Sequence, residues 1–96
     1  MSISFSDSVK IPDDVLISNL QDESVILNLG SERYYGLDSV GTRILSVLAT
    51  SHSIEAAYNT LVQEYDVDGQ VLRQDLLALV EDLVDKGLVQ VSREKY

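Results

Sequence analysis

Apolar residues change their spacing near Asp38, and this change divides the chain into two regions. Before Asp38 they recur with a period of two, as at Val25, Leu27 and Leu29, which predicts half-buried β-strands. After Asp38 they recur with a period near 3.6, which predicts amphipathic α-helices. The only proline is Pro12, so no proline breaks the helical region. The pattern therefore predicts strands first and helices afterwards.

Three strands are predicted in the first region, and turns of about three residues join them. They cover Val15–Leu20, a run around Val25–Leu29, and Arg33–Leu37, whose aromatic residues suit a pleated surface. Such short turns predict an antiparallel meander. The earlier segment Ile3–Ile11 also alternates, and it is expected to form a short edge pairing.

Three helices are predicted in the second region. The first follows Asp38 or Ser39 and the second follows Ser53, all residue types that favour an N-cap. The third runs from about Gln70 to Lys86, and Gly87 just beyond it is typical of a helix end. The apolar residues after it suit a short closing strand. The prediction is one α+β domain over residues 1–96, with an N-terminal three-stranded antiparallel sheet followed by three helices.

The third helix carries more apolar surface than a surface helix needs. Its apolar side chains spread beyond the stripe of about 100° that faces a core. Leu76, Val80 and Leu83 lie at the centre of this surface, and Leu72 and Leu79 lie on one flank. A helix that packs on its neighbours and also meets a further surface would show this pattern. A central helix packed by two helices and a sheet would show it as well, and both interpretations stay open.

Charge and composition exclude several classes of function. Sixteen acidic residues against seven basic ones give a net charge of −9, which disfavours nucleic-acid backbones and anionic membranes. Between residues 64 and 86 the net charge is −5, the opposite of what a DNA-recognition helix needs. The chain has no Cys, which excludes disulfides, thiolate metal sites and Cys nucleophiles. Its start shows no signal-peptide pattern, so a cytoplasmic protein is expected.

Candidate catalytic residues are sparse. His52 is the only histidine and lies in a polar stretch beside Ser51 and Ser53, where a surface or capping role is expected. Neighbouring acids such as Asp13 and Asp14 are expected to lie on a solvent-exposed face rather than to form a catalytic pair. The sequence therefore predicts a protein that is not an enzyme and has no metal or cofactor.

The third strand is predicted to have an unpaired edge. It contains no proline and no lysine, the residues that often protect an edge from pairing. An open edge beside an apolar helix flank is the geometry that captures an extended peptide by strand addition. Three alternatives remain open from the pattern: residues Ile3–Ile11 cover this edge, the edge is exposed without a function, or it serves oligomerisation.

Two motifs carry a resemblance to a known family. Residues Arg33–Asp38 and Val40–Ile44 read RYYGLD and VGTRI, which resembles the YYGLD…VGxxIW signature of PqqD-like proteins. Leu45 stands where that family usually has Trp. Tyr65–Asp68 and Leu83–Val89, with a DLL run between them, match the family's later motifs in order and spacing. The resemblance covers residues 15–91.

The resemblance implies a precursor-peptide recognition element of ribosomally made, modified peptides. Such proteins have a winged helix-turn-helix fold and bind the leader segment of a precursor peptide as an added strand. The chain is most similar to the stand-alone recognition proteins of lasso-peptide clusters, whose partner is a separate transglutaminase-like cysteine protease. A chaperone serving pyrroloquinoline-quinone or another modified peptide would look alike. A monomer or weak dimer without nucleic-acid or membrane partners is expected.

The same resemblance implies the binding residues. The leader would lie on the third strand, at Arg33, Tyr34, Tyr35, Gly36 and Leu37, and against a helix flank formed by Leu72, Asp75, Leu76, Leu79 and Asp82. For Asp75, a bracing hydrogen bond within the fold is an equally open role. Tyr34 and Tyr35 point to opposite faces of the strand, and the sequence leaves open which one is buried.

Overall fold

A computed structural model of the chain describes residues 3–92. It is an α+β fold in which five strands and three helices follow one another. They are β1 (Ser8–Lys10), β2 (Val15–Leu20), β3 (Glu23–Asn28), β4 (Tyr34–Leu37), α1 (Ser39–Thr50), α2 (Ile54–Glu64), α3 (Gly69–Asp85) and β5 (Gln90–Ser92). The predicted order of a meander, three helices and a closing strand is confirmed.

The meander is a three-stranded antiparallel sheet in the order β2-β3-β4. In its register Ile26 of β3 lies between Ile17 of β2 and Tyr35 of β4. The side chain of Ile26 is fully buried and Tyr35 packs against the core, so this face of the sheet is the inner one, although Ile17 at its β2 end is exposed. Because successive side chains point to opposite faces, the neighbouring row belongs to the outer face of the sheet.

The N-terminal segment does not cover the meander. Instead β1 pairs with β5 in a separate two-stranded ribbon, with Val9 opposite Val91. The segment before β1 docks on the start of α2, where the Ile54 N–H donates to the Asp7 carbonyl at 2.8 Å. This arrangement removes one of the alternatives for the edge of β4, because the only strand of the N-terminal segment has another partner.

Capping residues set the ends of the helices. The Asp38 carboxylate accepts from the Gly41 N–H and the Ser53 hydroxyl from the Ala56 N–H, which confirms both predicted N-caps. The α3 helix starts one residue earlier than predicted, because Asp68 accepts from the N–H groups of its first turn. Gly87 follows α3 with φ +72°, a conformation that favours glycine and ends the helix.

The core lies between the helices and the inner face of the sheet. On α3 a stripe with spacings of four, four and three residues is buried, namely Leu72, Leu76, Val80 and Leu83. The flanking Leu79 and Val84 are half-buried and pack against this core. Packing within the fold therefore explains four of the apolar residues of α3. The remaining apolar residues lie on the partly exposed flanks of the helix.

Candidate functional site: the free edge of β4 and the adjacent face of α3

The backbone of β4 alternates between a paired side and a free side. The Asn28 N–H donates to the Arg33 carbonyl at 2.8 Å, which fixes the phase of the antiparallel ladder. Because hydrogen-bonded and non-hydrogen-bonded pairs alternate along an antiparallel ladder, Tyr35 and Leu37 also direct their backbone groups to β3. The N–H and C=O groups of Tyr34 and Gly36 therefore point away from the sheet. Within residues 3–92 no strand pairs with that side of β4.

Side chains connect the paired residues of β4 to the C-terminal half of α3. The Tyr35 hydroxyl donates to the Asp82 carboxylate at 3.2 Å. Lys86 Nζ lies 5.1 Å from the centroid of the Tyr35 ring and 3.9 Å from Asp82 Oδ1. Arg33 Nη1 donates to the Asp85 carbonyl at 3.5 Å. These contacts place the Asp82 face of α3 alongside β4.

Helical spacing identifies the other residues on the groove side of α3, because residues three, four or seven positions apart share a face of a helix. Asp75, Ala78 and Leu79 therefore lie on the side of α3 that carries Asp82. Asp75 and Ala78 are exposed, and Leu79 is half-buried. The free edge of β4 and this face of α3 form the two walls of the candidate site, which we call the β4–α3 groove.

The two tyrosines of β4 have different environments, as their alternation predicts. Tyr34 is 70% exposed on the outer face of the sheet. Tyr35 is half-buried and packs against the core. Burial raises the pKa of the Tyr35 phenol, and the hydrogen bond and negative charge of Asp82 raise it further. The phenol therefore stays protonated at neutral pH and keeps its role as the donor to Asp82.

Not every predicted site residue reaches the groove. Arg33, just before β4, and Asp75 and Asp82 on α3 are exposed at the groove. Tyr34 and Gly36 are exposed on the outer face, and they reach the free edge through their backbone groups. The side chains of Leu37, Leu72 and Leu76 are 5%, 7% and 0% exposed. These three side chains face the core and offer no surface for a ligand, which corrects the prediction that Leu72 and Leu76 line the helix side of the groove. The physical reason is that the buried stripe of α3 runs through Leu72 and Leu76. Leu37, predicted as part of the receiving edge, directs its backbone groups to β3 instead.

Asp75 had two predicted roles. Among residues 3–92 its side chain makes no hydrogen bond or ion pair, so the structure gives no support for the bracing role. Its carboxylate is exposed on the groove face of α3. The Asp75 carboxylate is therefore available to a basic ligand, whereas Asp82 on the same face already contacts Tyr35 and Lys86.

Sequence reasoning missed two exposed apolar residues, one on the groove face of α3 and one in the first turn of α1. Val71 is 51% exposed and lies one turn before Asp75 on the same face of α3. Val40 is 47% exposed in the first turn of α1, directly after β4. Extending the helical spacing back from Asp82 through Asp75 would have identified Val71. The position of Val40 depends on how α1 leaves the sheet, which the sequence pattern does not give.

The described region offers no catalytic metal cluster. Over residues 3–92 there is no group of three or more His, Asp or Glu side chains that could hold a metal ion. None of the helices in this region is both long and apolar enough to cross a membrane. The groove consists of backbone donors and acceptors, apolar side chains, carboxylates, and the basic side chains of Arg33 and Lys86.

Comparison with known proteins decides the family. Residues 23–89 match the model of the PqqD family, described as coenzyme PQQ synthesis protein D. The chain belongs to the PqqD family. Among curated relatives of this PqqD-family chain, the PqqA binding protein of Rhodopseudomonas palustris strain HaA2 is 33% identical over 67 residues. That match covers 70% of this chain and 66% of the relative, just under two thirds of the relative's length.

Two solved structures share the PqqD-family fold over most of the chain. TbiB1, solved in complex with the TbiA(beta) leader peptide, is 36% identical with a TM-score of 0.78. The match covers 84% of this chain and 94% of TbiB1. A lasso peptide synthetase B1, solved with its leader peptide, has a TM-score of 0.77 and 23% identity, covering 86% and 98% of the two chains. The second match supports the fold alone.

Proposed function

We propose that this PqqD-family protein binds the leader segment of a ribosomally made precursor peptide as a fourth strand on β4, against α3. The free backbone groups of Tyr34 and Gly36 carry this proposal, because they match the spacing of an added strand. The family and the leader-peptide complex of TbiB1 support it. The groove would present the leader to a separate enzyme, and this chain itself would perform no chemistry.

We further propose a lasso-peptide pathway, with a separate transglutaminase-like cysteine peptidase as the partner that receives the leader. The similarity to TbiB1 favours this assignment, since TbiB1 is 36% identical with 94% of its length covered, whereas the PqqA binding proteins are 33% identical with 66% covered or 23% identical with 92% covered. A chaperone role for pyrroloquinoline-quinone precursors remains the second candidate, because curated relatives are named for PqqA binding. A winged helix-turn-helix arrangement, a cytoplasmic location and a monomeric or weakly dimeric state remain predictions.

Proline substitution tests the site. Gly36→Pro removes an N–H that faces away from the sheet and places the proline ring at the free edge, so the sheet keeps its own hydrogen bonds. An added strand contributes about 0.5–1.5 kcal/mol for each hydrogen bond. We expect Gly36→Pro to weaken leader binding at least about tenfold. The measurement is calorimetric titration with synthetic leader peptides from precursor genes beside this gene.

The matched control uses the other free edge of the sheet. The Leu29 N–H donates to the Asp14 carbonyl at 2.8 Å, so Asp14 and Leu29 form a hydrogen-bonded pair that continues the ladder of β2 and β3. Because hydrogen-bonded and non-hydrogen-bonded pairs alternate, Asn19 belongs to a non-hydrogen-bonded pair and directs its N–H away from β3. We expect Asn19→Pro to bind the leader as the unmodified protein does. Circular dichroism and urea unfolding establish that both variants are folded. Loss of binding in Asn19→Pro with retention in Gly36→Pro would place the leader on β2 and overturn the proposal.

A further inference from the structure

We propose that the outer face of the sheet beside Gly36 is a second subsite, which accepts a large apolar side chain of the bound peptide. This inference rests on the proposed strand addition at β4. It adds a point of recognition on the face of the sheet opposite the β4–α3 groove. Its location is defined by Gly36, its neighbour Val25 on β3, and Tyr34 two residues earlier on β4.

Nothing within the described part of the chain requires a glycine at position 36. A Cβ added to Gly36 would meet no atom within 4 Å. Its φ lies outside the left-handed region, which among the glycines only Gly87 occupies. A glycine inside a strand weakens the strand, because it adds no packing and costs more conformational entropy. The open space at Gly36 is therefore available to a group from another molecule.

The surroundings of this space are apolar on the side of Val25 and Tyr34, whereas the exposed Glu23 lies beyond Val25 on the same face. Gly36 lies opposite Val25, which is half-buried on the outer face. The adjacent row of the same face runs from Leu16 through Leu27 to Tyr34, with Leu16 54% and Tyr34 70% exposed. The missing side chain of Gly36 thus leaves a gap at the β4 end of an apolar surface. A side chain placed in that gap would contact apolar groups of Val25 and Tyr34.

Strand addition directs one ligand side chain to this gap. A peptide residue paired with the free N–H and C=O of Gly36 has its side chain on the same face as Gly36. The peptide residues before and after it point to the opposite face, towards α3. A large side chain lying across an edge glycine fills the space that glycine leaves. The peptide would then be recognised alternately by the groove and by the outer face.

The test adds a side chain to the proposed subsite while leaving the edge free. Gly36→Val fills the gap, and its side chain stands perpendicular to the sheet, so the outward N–H and C=O remain available. The probes are the leader peptides of precursors encoded beside this gene, each with single alanine substitutions. We expect that replacing one large apolar residue of the leader with alanine weakens binding to the unmodified protein at least about tenfold. We expect Gly36→Val to bind the unsubstituted leader more weakly than the unmodified protein does. In this variant the same alanine substitution in the leader should change the affinity by less than about twofold.

Ser18→Val provides the matched control. Ser18 lies opposite Val25 in the same row of the outer face, but on β2, away from the β4 edge. We expect Ser18→Val to leave both leader affinity and the alanine effect unchanged. An unaltered alanine effect in Gly36→Val would overturn the subsite while leaving strand addition intact, provided Gly36→Pro still weakens leader binding. Unchanged binding in both Gly36 variants, or no binding of any leader, would overturn the subsite together with the proposed function.

Discussion

Leu76 and Leu79 lie three residues apart on α3 and face different environments. Leu76 is fully buried among the core side chains. Leu79 is half-buried at the margin of the core and shares a face with Asp82 of the groove. At this scale the position around the helix axis decides whether a leucine stabilises the fold or remains available to a ligand.

Alanine substitution separates these two roles. We expect Leu76→Ala to lower the free energy of unfolding by about 2–5 kcal/mol, because it opens a cavity in the core. Leu79→Ala removes partly exposed atoms, so we expect a smaller loss of stability and a clear loss of leader affinity. Urea unfolding and calorimetric titration measure the two effects. A larger loss of stability in Leu79→Ala than in Leu76→Ala would contradict this assignment.

At the scale of elements, α3 carries one wall of the groove, and Asp68 fixes its first turn. The Asp68 carboxylate accepts from the N–H groups of Gln70 and Val71 at 2.8 and 3.4 Å. Without that acceptor, these donors at the helix start would need water as a partner. The cap therefore supports the part of α3 that presents Val71 and Asp75.

Removing this cap should weaken α3 from its N-terminal end. We expect Asp68→Ala to lower the free energy of unfolding by about 0.5–2 kcal/mol, the usual effect of losing an N-cap. Asp66→Ala removes the same charge from the preceding connector without removing a cap, and we expect little change. Urea unfolding followed by circular dichroism measures both. Equal destabilisation by the two variants would show that charge, rather than capping, is responsible.

The elements also show what sequence patterns can and cannot predict. Period, caps and turn residues are local signals, so the strand order, the starts of α1 and α2 and the end at Gly87 were predicted correctly. The burial of Leu72 and Leu76 depends on which flank of α3 meets the sheet and the other helices. The pairing of β1 with β5 joins opposite ends of the chain. Both are tertiary contacts, which a local pattern does not specify.

At the scale of the whole molecule, negative charge is in excess, and the groove combines acidic side chains with the basic Arg33 and Lys86. The chain carries a net charge of −9, and the exposed Asp75 and Asp82 lie on the groove face of α3. A basic residue of the leader near this face would be attracted. Because these carboxylates are exposed, dissolved salt screens them.

Leader binding should therefore weaken as salt concentration rises. We expect the affinity for a leader with a basic residue near the groove to fall several-fold between about 50 mM and about 500 mM NaCl. Replacing that basic residue with Gln should remove most of this dependence. Calorimetric titration across the salt series measures both. Equal affinity for the basic leader at all concentrations would contradict the charge attraction.

The vacant margin of β4 also has a consequence for how the protein behaves when concentrated. Unpaired backbone groups can pair with a strand of a second copy as well as with a peptide, but repulsion between like-charged copies opposes that contact. High salt removes the repulsion. Concentrated samples in strong salt should consequently self-associate and aggregate, whereas saturation with leader peptide should keep them dispersed by occupying the margin first.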